Sequence, residues 1–282
     1  DSVIMENHAV VVGGRDLAEA QARLETLEYC SRALHAAGFL GDTVKPGDVT
    51  GDNNEFMSGT PTQYAGRGFQ STGIEGVMSP GEELVAEEIC RMTVRACGRG
   101  LMYGFCGTIS ARNTGNSYLL TRKKVLRCKI NKADIIAGRT GEKGSSQEEW
   151  LHSEIYIRFP AVNAVITARP PHLMAYAVTG KDINVRTIPE SWILLQQMPL
   201  VPLGAISPGR EEIFEKLSSG IPAVLIANDS VLVTGNSLLQ AFDRLEVAEM
   251  TAMSLILGRS LGKVNPISDN DVADLKRVFS GK

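Results

Sequence analysis

The sequence predicts an α/β fold, a layered α/β/α domain with a central sheet filling residues 79–282. Three observations carry this expectation. Short apolar runs, such as residues 223–227 and 231–234, have the length and composition of strands. Longer stretches between them place apolar residues at helical spacing, several opened by capping signals. The two kinds of segment alternate, and such interleaving buries one sheet beneath helices. A hydrophobic content of 43% in 282 residues is enough for the core of one or two domains.

Taken in order, residues 9–12 read as a strand closed by Gly13-Gly14. Asp16 is the expected N-cap of a helix running to about Ala37, with Leu17, Ala20, Leu24, Leu27 and Leu34 as its buried spacing and Gly38 at its C-cap. One strand and one helix cannot bury a core alone. Residues 39–78, rich in Gly, Asp, Asn and Thr, read as a linker whose Phe56, Tyr64 and Phe69 could dock on a neighbour. Ser79-Pro80-Gly81-Glu82 gives a capping box with proline at the first helical position. Leu84, Ile89, Met92 and Ala96 are the expected buried face, and Gly98 the end. Residues 104–112 form a small-residue turn into a strand, 117–121 a second strand with Asn116 in the hairpin turn, and 132–136 a short strand or turn. Ser146 with Glu149 repeats the capping box, and that helix must end before Pro160. Residues 162–168 are a buried strand, broken by Pro170-Pro171 before a helix over 172–177. Residues 183–206 show no regular pattern. Ser207-Pro208 opens a helix to Leu217, two strands follow at 223–227 and 231–234, a helix spans about 237–257, and the remainder reads as a tail.

The chain also repeats itself. Glu6-Asn-His-Ala-Val-Val-Val-Gly-Gly14 aligns with Ala227-Asn-Asp-Ser-Val-Leu-Val-Thr-Gly235. Beyond them Leu17 meets Leu238, Ala20 meets Ala241, Arg23-Leu24-Glu25 meets Arg244-Leu245-Glu246, and Glu28 meets Glu249. The separation is too long for a solenoid, so the expectation is two homologous domains in tandem, with residues 1–38 the closing end of the first. The polar difference that matters is His8 against Asp229.

A net charge of −3 and a pI near 5.9 give no overall basic field, so no nucleic-acid partner is expected. No run of eighteen apolar residues exists, so no membrane span is expected. The opening residues resemble neither a signal nor a transit peptide and read as the inside of a strand. The five cysteines contain no CxxC pair and are read as free, mostly buried thiols of a cytoplasmic protein.

Five blocks, in order and spacing, carry a resemblance: Gly107-Thr-Ile-Ser-Ala-Arg112, Leu119-Leu-Thr-Arg122, Glu148-x-x-x-His152-x-x-Ile-Tyr156, Asn163-Ala-Val-Ile-Thr-Ala-Arg-Pro-Pro-His172 and Asn228-Asp-Ser-Val-Leu-Val-Thr-Gly235. They resemble the class II aldolase/adducin family. The resemblance implies a mostly antiparallel central sheet and an aldolase-type lyase that cleaves a carbon–carbon bond in a hydroxy-carbonyl or sugar-phosphate compound. It also implies zinc held by a His-x-His pair and an Asn-His-Gly turn, with a carboxylate moving the proton.

The metal positions depart from that pattern. Thr167-Ala168-Arg169 stands for His-x-His, and Asn228-Asp229-Ser230 for Asn-His-Gly. A threonine is a poor zinc ligand and an arginine repels the ion, so no metal is expected within 79–282. Glu148 holds the acid/base position, although a glutamate in a first helical turn is favoured by the helix dipole alone. His152 and His172 are read as structural. Thr108, Arg112, Arg122, Lys123, Ser145, Ser146 and Arg169 are the candidate substrate or anion contacts; Ser146 could equally be only a cap. Asn7-His8 keeps the third-ligand block, so zinc could be completed at His8 with a partner segment. Two readings stand. The chain is the later part of a tandem aldolase-type lyase with a degenerate second domain, packed with an upstream fragment or homologous subunit as a homo- or hetero-oligomer. Alternatively it is a non-enzymatic anion-binding or scaffold protein on the same fold.

Overall fold

The computed structural model describes residues 2–44, 78–141 and 146–279. At its centre lies a seven-stranded sheet made of β3 (Thr108–Arg112), β4 (Ser117–Thr121), β5 (Ile135–Arg139), β6 (Ala164–Ala168), β7 (Leu200–Val201), β8 (Ala223–Ile226) and β9 (Ser230–Gly235), in the order β5-β4-β3-β6-β9-β8-β7. All neighbours are antiparallel except β7 with β8. The expected α/β fold with a mostly antiparallel sheet is therefore present. β6 and β9 are buried along their whole length because both sheet faces are covered, which is why their sequences read as unbroken apolar runs.

Helices α2 (Pro80–Gly98), α4 (Pro171–Thr179) and α7 (Leu238–Gly258) cover one face around Ile109, Ile166, Leu225 and Val233. Helices α3 (Gln147–Arg158) and α6 (Glu212–Ser218) cover the other, around Leu120, Val165, Val224 and Leu232. The capping box at Ser79 forms as expected: its hydroxyl accepts the Glu82 N–H while the Glu82 carboxylate accepts the Ser79 N–H at 2.9 Å. Ser146 caps α3 by accepting the Glu149 N–H at 3.1 Å.

Five expectations need correction. The cysteines, expected to be mostly buried, are exposed at Cys30 and Cys128 and half-buried at Cys90, Cys97 and Cys106. Leu84 is exposed, because the buried stripe of α2 runs through Ala86, Ile89, Met92, Thr93 and Ala96. The helix expected from Ser207 begins only at Glu212, since Gly209 adopts φ +88° and turns the chain first. Residues 183–206 contain α5 (Pro189–Leu195) and β7. The tail contains α8 (Asp269–Phe279), which packs on α5 and buries Val272. The Phe56, Tyr64 and Phe69 expectations, and most of the linker, lie outside the described residues.

The N-terminal piece is a hairpin, β1 (Ser2–Ile4) with β2 (Val10–Val12), followed by α1 (Leu17–Gly38). Its local geometry matches β8-β9-α7 position by position. Val3 pairs with Val11 as Val224 pairs with Leu232. Asn7 and Asn228 both turn the chain with positive φ, 51° and 54°. Side-chain oxygens of Asp16 and Ser237 cap their helices at equivalent amides, Glu19 and Gln240. Arg23 donates to the Gly13 carbonyl and Arg244 to the Thr234 carbonyl, each at 2.5 Å. A Cβ on Gly14 would meet the Ala20 nitrogen at 2.5 Å, and one on Gly235 the Ala241 nitrogen at 2.6 Å, so close helix–strand approach demands glycine in both. In α1, however, the buried residues are Ala22, Ala33, Ala36 and Ala37, and Leu17, Leu24 and Leu34 are exposed, the reverse of the expected face.

Candidate functional site

The site forms where the C-terminal end of β6, the β8–β9 turn and the N-terminal end of α3 approach. Arg169 leaves the end of β6, and Asp229 lies in the tight turn that Asn228 opens. The guanidinium donates from Nε to the Asp229 carbonyl at 2.9 Å and from its terminal nitrogen to the Asp229 carboxylate at 2.8 Å. Burial opposes the charge of Arg169, but the Asp229 charge and hydrogen bond outweigh it and raise its pKa above the ordinary arginine value. The positions that matched the family's metal ligands are thus joined by an internal ion pair. Thr167, the remaining matched position, is a buried hydroxyl. This donor set does not fit a divalent metal: one position is a cation and the only carboxylate is committed to it. Among the described residues no group of three His, Cys, Asp or Glu side chains could hold a metal ion. His8 stands exposed in the β1–β2 turn and belongs to no group of three potential ligands among the described residues.

Glu148 lies in the first turn of α3 and pairs with Lys123 at 3.3 Å. Burial would raise its carboxyl, but Lys123, its own backbone N–H and Arg169 together hold it below the ordinary carboxylate value. Beside this pair a cavity of about 220 Å³ is lined by Thr108, Thr121, Arg122, Lys123, Ser146 and Glu149, among others. The structure therefore brings together Thr108, Arg122, Lys123, Ser146 and Glu148. Ser145 lies outside the described residues. Arg112 is not with them: it occupies the opposite end of β3, donating to the carbonyls of Tyr156 at 2.8 Å and Val162 at 3.2 Å and lying over the Tyr156 ring. Its candidate role as an anion contact is replaced by one that fastens β3 to the end of α3.

Sequence reasoning missed several residues that shape the site. Arg127 is almost completely buried and donates to the carbonyls of Gly107 and Arg122, both at 2.8 Å, fixing the turn before β3 and the start of the cationic loop. Burial pulls its pKa down to about 10. Cys106, at that turn, lies near Arg169, Arg127, Tyr103 and Cys30. Cys30 comes from α1, whose Glu25 accepts the Gly104 N–H at 2.6 Å and whose Tyr29 stacks on Tyr103 with ring centres 4.0 Å apart. One wall beside the site therefore belongs to the N-terminal hairpin-helix piece. No local pattern announces this, because the contacts join residues far apart in sequence.

His152 and His172 are both tied to neighbouring side chains, but His152 is not the fully satisfied histidine expected, because its Nε2 is buried without a hydrogen-bond partner among the described residues. His152 is fully buried, hydrogen-bonded through Nδ1 to Ser110 Oγ at 2.7 Å, with its pKa lowered to about 4 by burial. His172 pairs with Glu249 at 2.7 Å, and the Glu249 carboxylate also accepts the N–H groups of His172 and Leu173, which opens α4.

Residues 87–256 match the family model described as the class II aldolase and adducin N-terminal domain. The chain is 28% identical over 192 residues to a 3-oxo-tetronate 4-phosphate decarboxylase of Haemophilus influenzae, a match spanning 63% of this chain and 89% of that protein. It is 30% identical over 162 residues to an L-fuculose phosphate aldolase of Methanococcus vannielii, spanning 55% and 86%. Among solved structures, an L-fuculose 1-phosphate aldolase superposes with a TM-score of 0.61 at 20% identity, covering 72% of this chain and 98% of its own. YgbL of Escherichia coli superposes with a TM-score of 0.60 at 22% identity, covering 69% and 99%.

Proposed function

Because the chain belongs to the class II aldolase and adducin N-terminal domain family, we propose that it is the later part of a tandem aldolase-type lyase whose 79–282 unit keeps the fold without the metal chemistry. One observation carries this reading, the Arg169–Asp229 ion pair at the positions that matched the metal ligands. A guanidinium there supplies fixed positive charge but no open coordination position for a substrate carbonyl and hydroxyl. Two of the named relatives, the decarboxylase and the aldolase, act on sugar-type phosphates by name, and the reading expects a hydroxy-carbonyl or sugar-phosphate substrate. In this reading zinc is held only where His8 meets ligands from a partner segment, and the 79–282 unit supports that site. Within the unit, Glu148 is neutralised by Lys123 and positioned as a structural remnant of the acid/base residue.

The chain of 282 residues is expected to carry far less than one zinc per molecule, and the combined Thr167→His, Arg169→His and Asp229→His variant to gain zinc. Metal analysis after purification without chelators measures both. Stoichiometric zinc in the unaltered chain, lost on mutating Asp229 but not His8, would overturn the reading.

The cavity beside Arg122, Lys123 and Ser146 favours a second reading, an anion-binding scaffold with no catalytic partner. It separates cleanly from the first. Phosphate would raise the melting temperature, Lys123→Ala together with Arg122→Ala would abolish that rise, and no lyase activity or zinc would appear in the complete protein.

A further inference from the structure

The two copies of the hairpin-helix unit share a shape and differ in surroundings. In α7, Leu238 is 4% exposed and Leu245 is fully buried beneath the sheet; their equivalents in α1, Leu17 and Leu24, are 84% and 48% exposed. Glu249 caps the N-terminus of α4, whereas its equivalent Glu28 sits on the surface, paired with Arg32 one turn along its own helix. β9 is flanked by both β8 and β6, whereas β2 pairs only with β1 among the described residues.

Helix geometry makes the difference specific. At about 100° per residue, Leu17, Leu24, Leu27, Glu28 and Leu34 share one side of α1. Ala22, Ala33, Ala36 and Ala37 lie on the other, about 180° away. The alanine side is the one that packs on α4. A helix apolar on two opposite sides is built to be covered on both. The second copy shows what covers the leucine side: the sheet running through β6, and the helix that follows it.

We propose that the leucine side of α1 and the open edge of β2 form a docking surface for the remainder of another aldolase-fold unit. This partner ends its sheet on a β6-like strand and lacks its own closing hairpin and helix. The register follows from the second copy, where Ile166, Thr167 and Ala168 lie opposite Val233, Leu232 and Val231. The partner strand therefore runs antiparallel to β2, with residues opposite Val12, Val11 and Val10. Its following helix presents two N–H groups to Glu28, as α4 does to Glu249. Charge and hydrogen bonding select against another copy of this chain, since its β6 edge is occupied by β9 and its α4 terminus by Glu249. The inference rests on the tandem reading and names its interface.

The test places the photoreactive residue p-benzoylphenylalanine at Leu24 in the protein produced from its complete coding sequence, with cross-linked peptides identified by mass spectrometry. The expected product joins Leu24 to an aldolase-like strand-helix segment outside residues 1–282. Cross-links to residues 45–77, to residues 79–282 of a second copy, or to nothing would each overturn the proposal. A second measurement guards against a misplaced probe. Leu24→Asp removes the apolar contact at a half-exposed position, so the 282-residue chain should keep its melting temperature. Its affinity for the co-purified partner should fall about ten-fold or more, and unchanged affinity would overturn the proposal. Neither outcome changes the zinc content expected of the 79–282 unit, so failure here leaves the metal-loss reading standing.

Discussion

Replacing Arg169 by methionine tests the ion pair on which the functional reading turns. The Asp229 side chain is 14% exposed and the Arg169 side chain 31% exposed, so deleting the cation strands a largely buried carboxylate. Breaking a buried pair by removing one member costs ~3–5 kcal/mol. The partial exposure of the guanidinium screens the interaction, which brings the expected loss to ~2–3 kcal/mol. At ~2–4 °C per kcal/mol for a domain of this size, the melting temperature should drop by ~4–12 °C. The Asp229→Asn change added to Arg169→Met removes the stranded charge while keeping the turn's shape, and should return stability to within ~1 kcal/mol of the parent. Chemical denaturation of the four proteins gives the coupling energy. If Arg169→Met melts with the parent, or if the double variant is no more stable than the single, Asp229 is not paired in solution and the argument against a metal at this position fails.

Two further predictions concern pH. Burial lowers the His152 pKa to about 4 in the folded protein against the ordinary histidine value of 6.5, so the unfolded chain binds an extra proton between those values and stability should rise with pH across that window. A His152→Gln variant, measured by urea denaturation at several pH values, should lose that slope; an unchanged slope would assign it to other groups. Glu148 is held below its ordinary value, so its contribution is present above pH ~4.5 and disappears as acid protonates the folded carboxyl. Lys123→Ala should move this loss to higher pH, read by NMR titration of the carboxyl, and no movement would mean that the 3.3 Å pair does not persist in solution.

Much of the fold is legible in the sequence because local signals coincide with global packing. Ser79 and Ser146 cap helices as their neighbours dictate, and the apolar run before Pro170 is a central strand because both of its faces are buried. The weaker signals fail where the environment overrides them. Leu84 and Leu17 lie at helical spacing, yet spacing does not say which side of a helix meets the core. α8 was hidden because its sequence is largely polar and its only buried residue is Val272. In the candidate site, the exchange of two expected histidines for Arg169 and Asp229 could be read directly, and residue chemistry alone disfavours a divalent metal.

What the sequence determined by itself is the α/β fold and the family, since periodicity, caps and motif spacing are local properties of the chain. Only the tertiary structure decided that Arg169 and Asp229 satisfy each other, that Arg112 leaves the site, and that α1 helps to wall it. It also separates two hairpin-helix units of matching geometry by what surrounds them: Leu245 is covered by its own sheet and Leu24 is not. Those outcomes depend on contacts between residues distant in sequence, and burial, pairing and exposure exist only once those contacts are made.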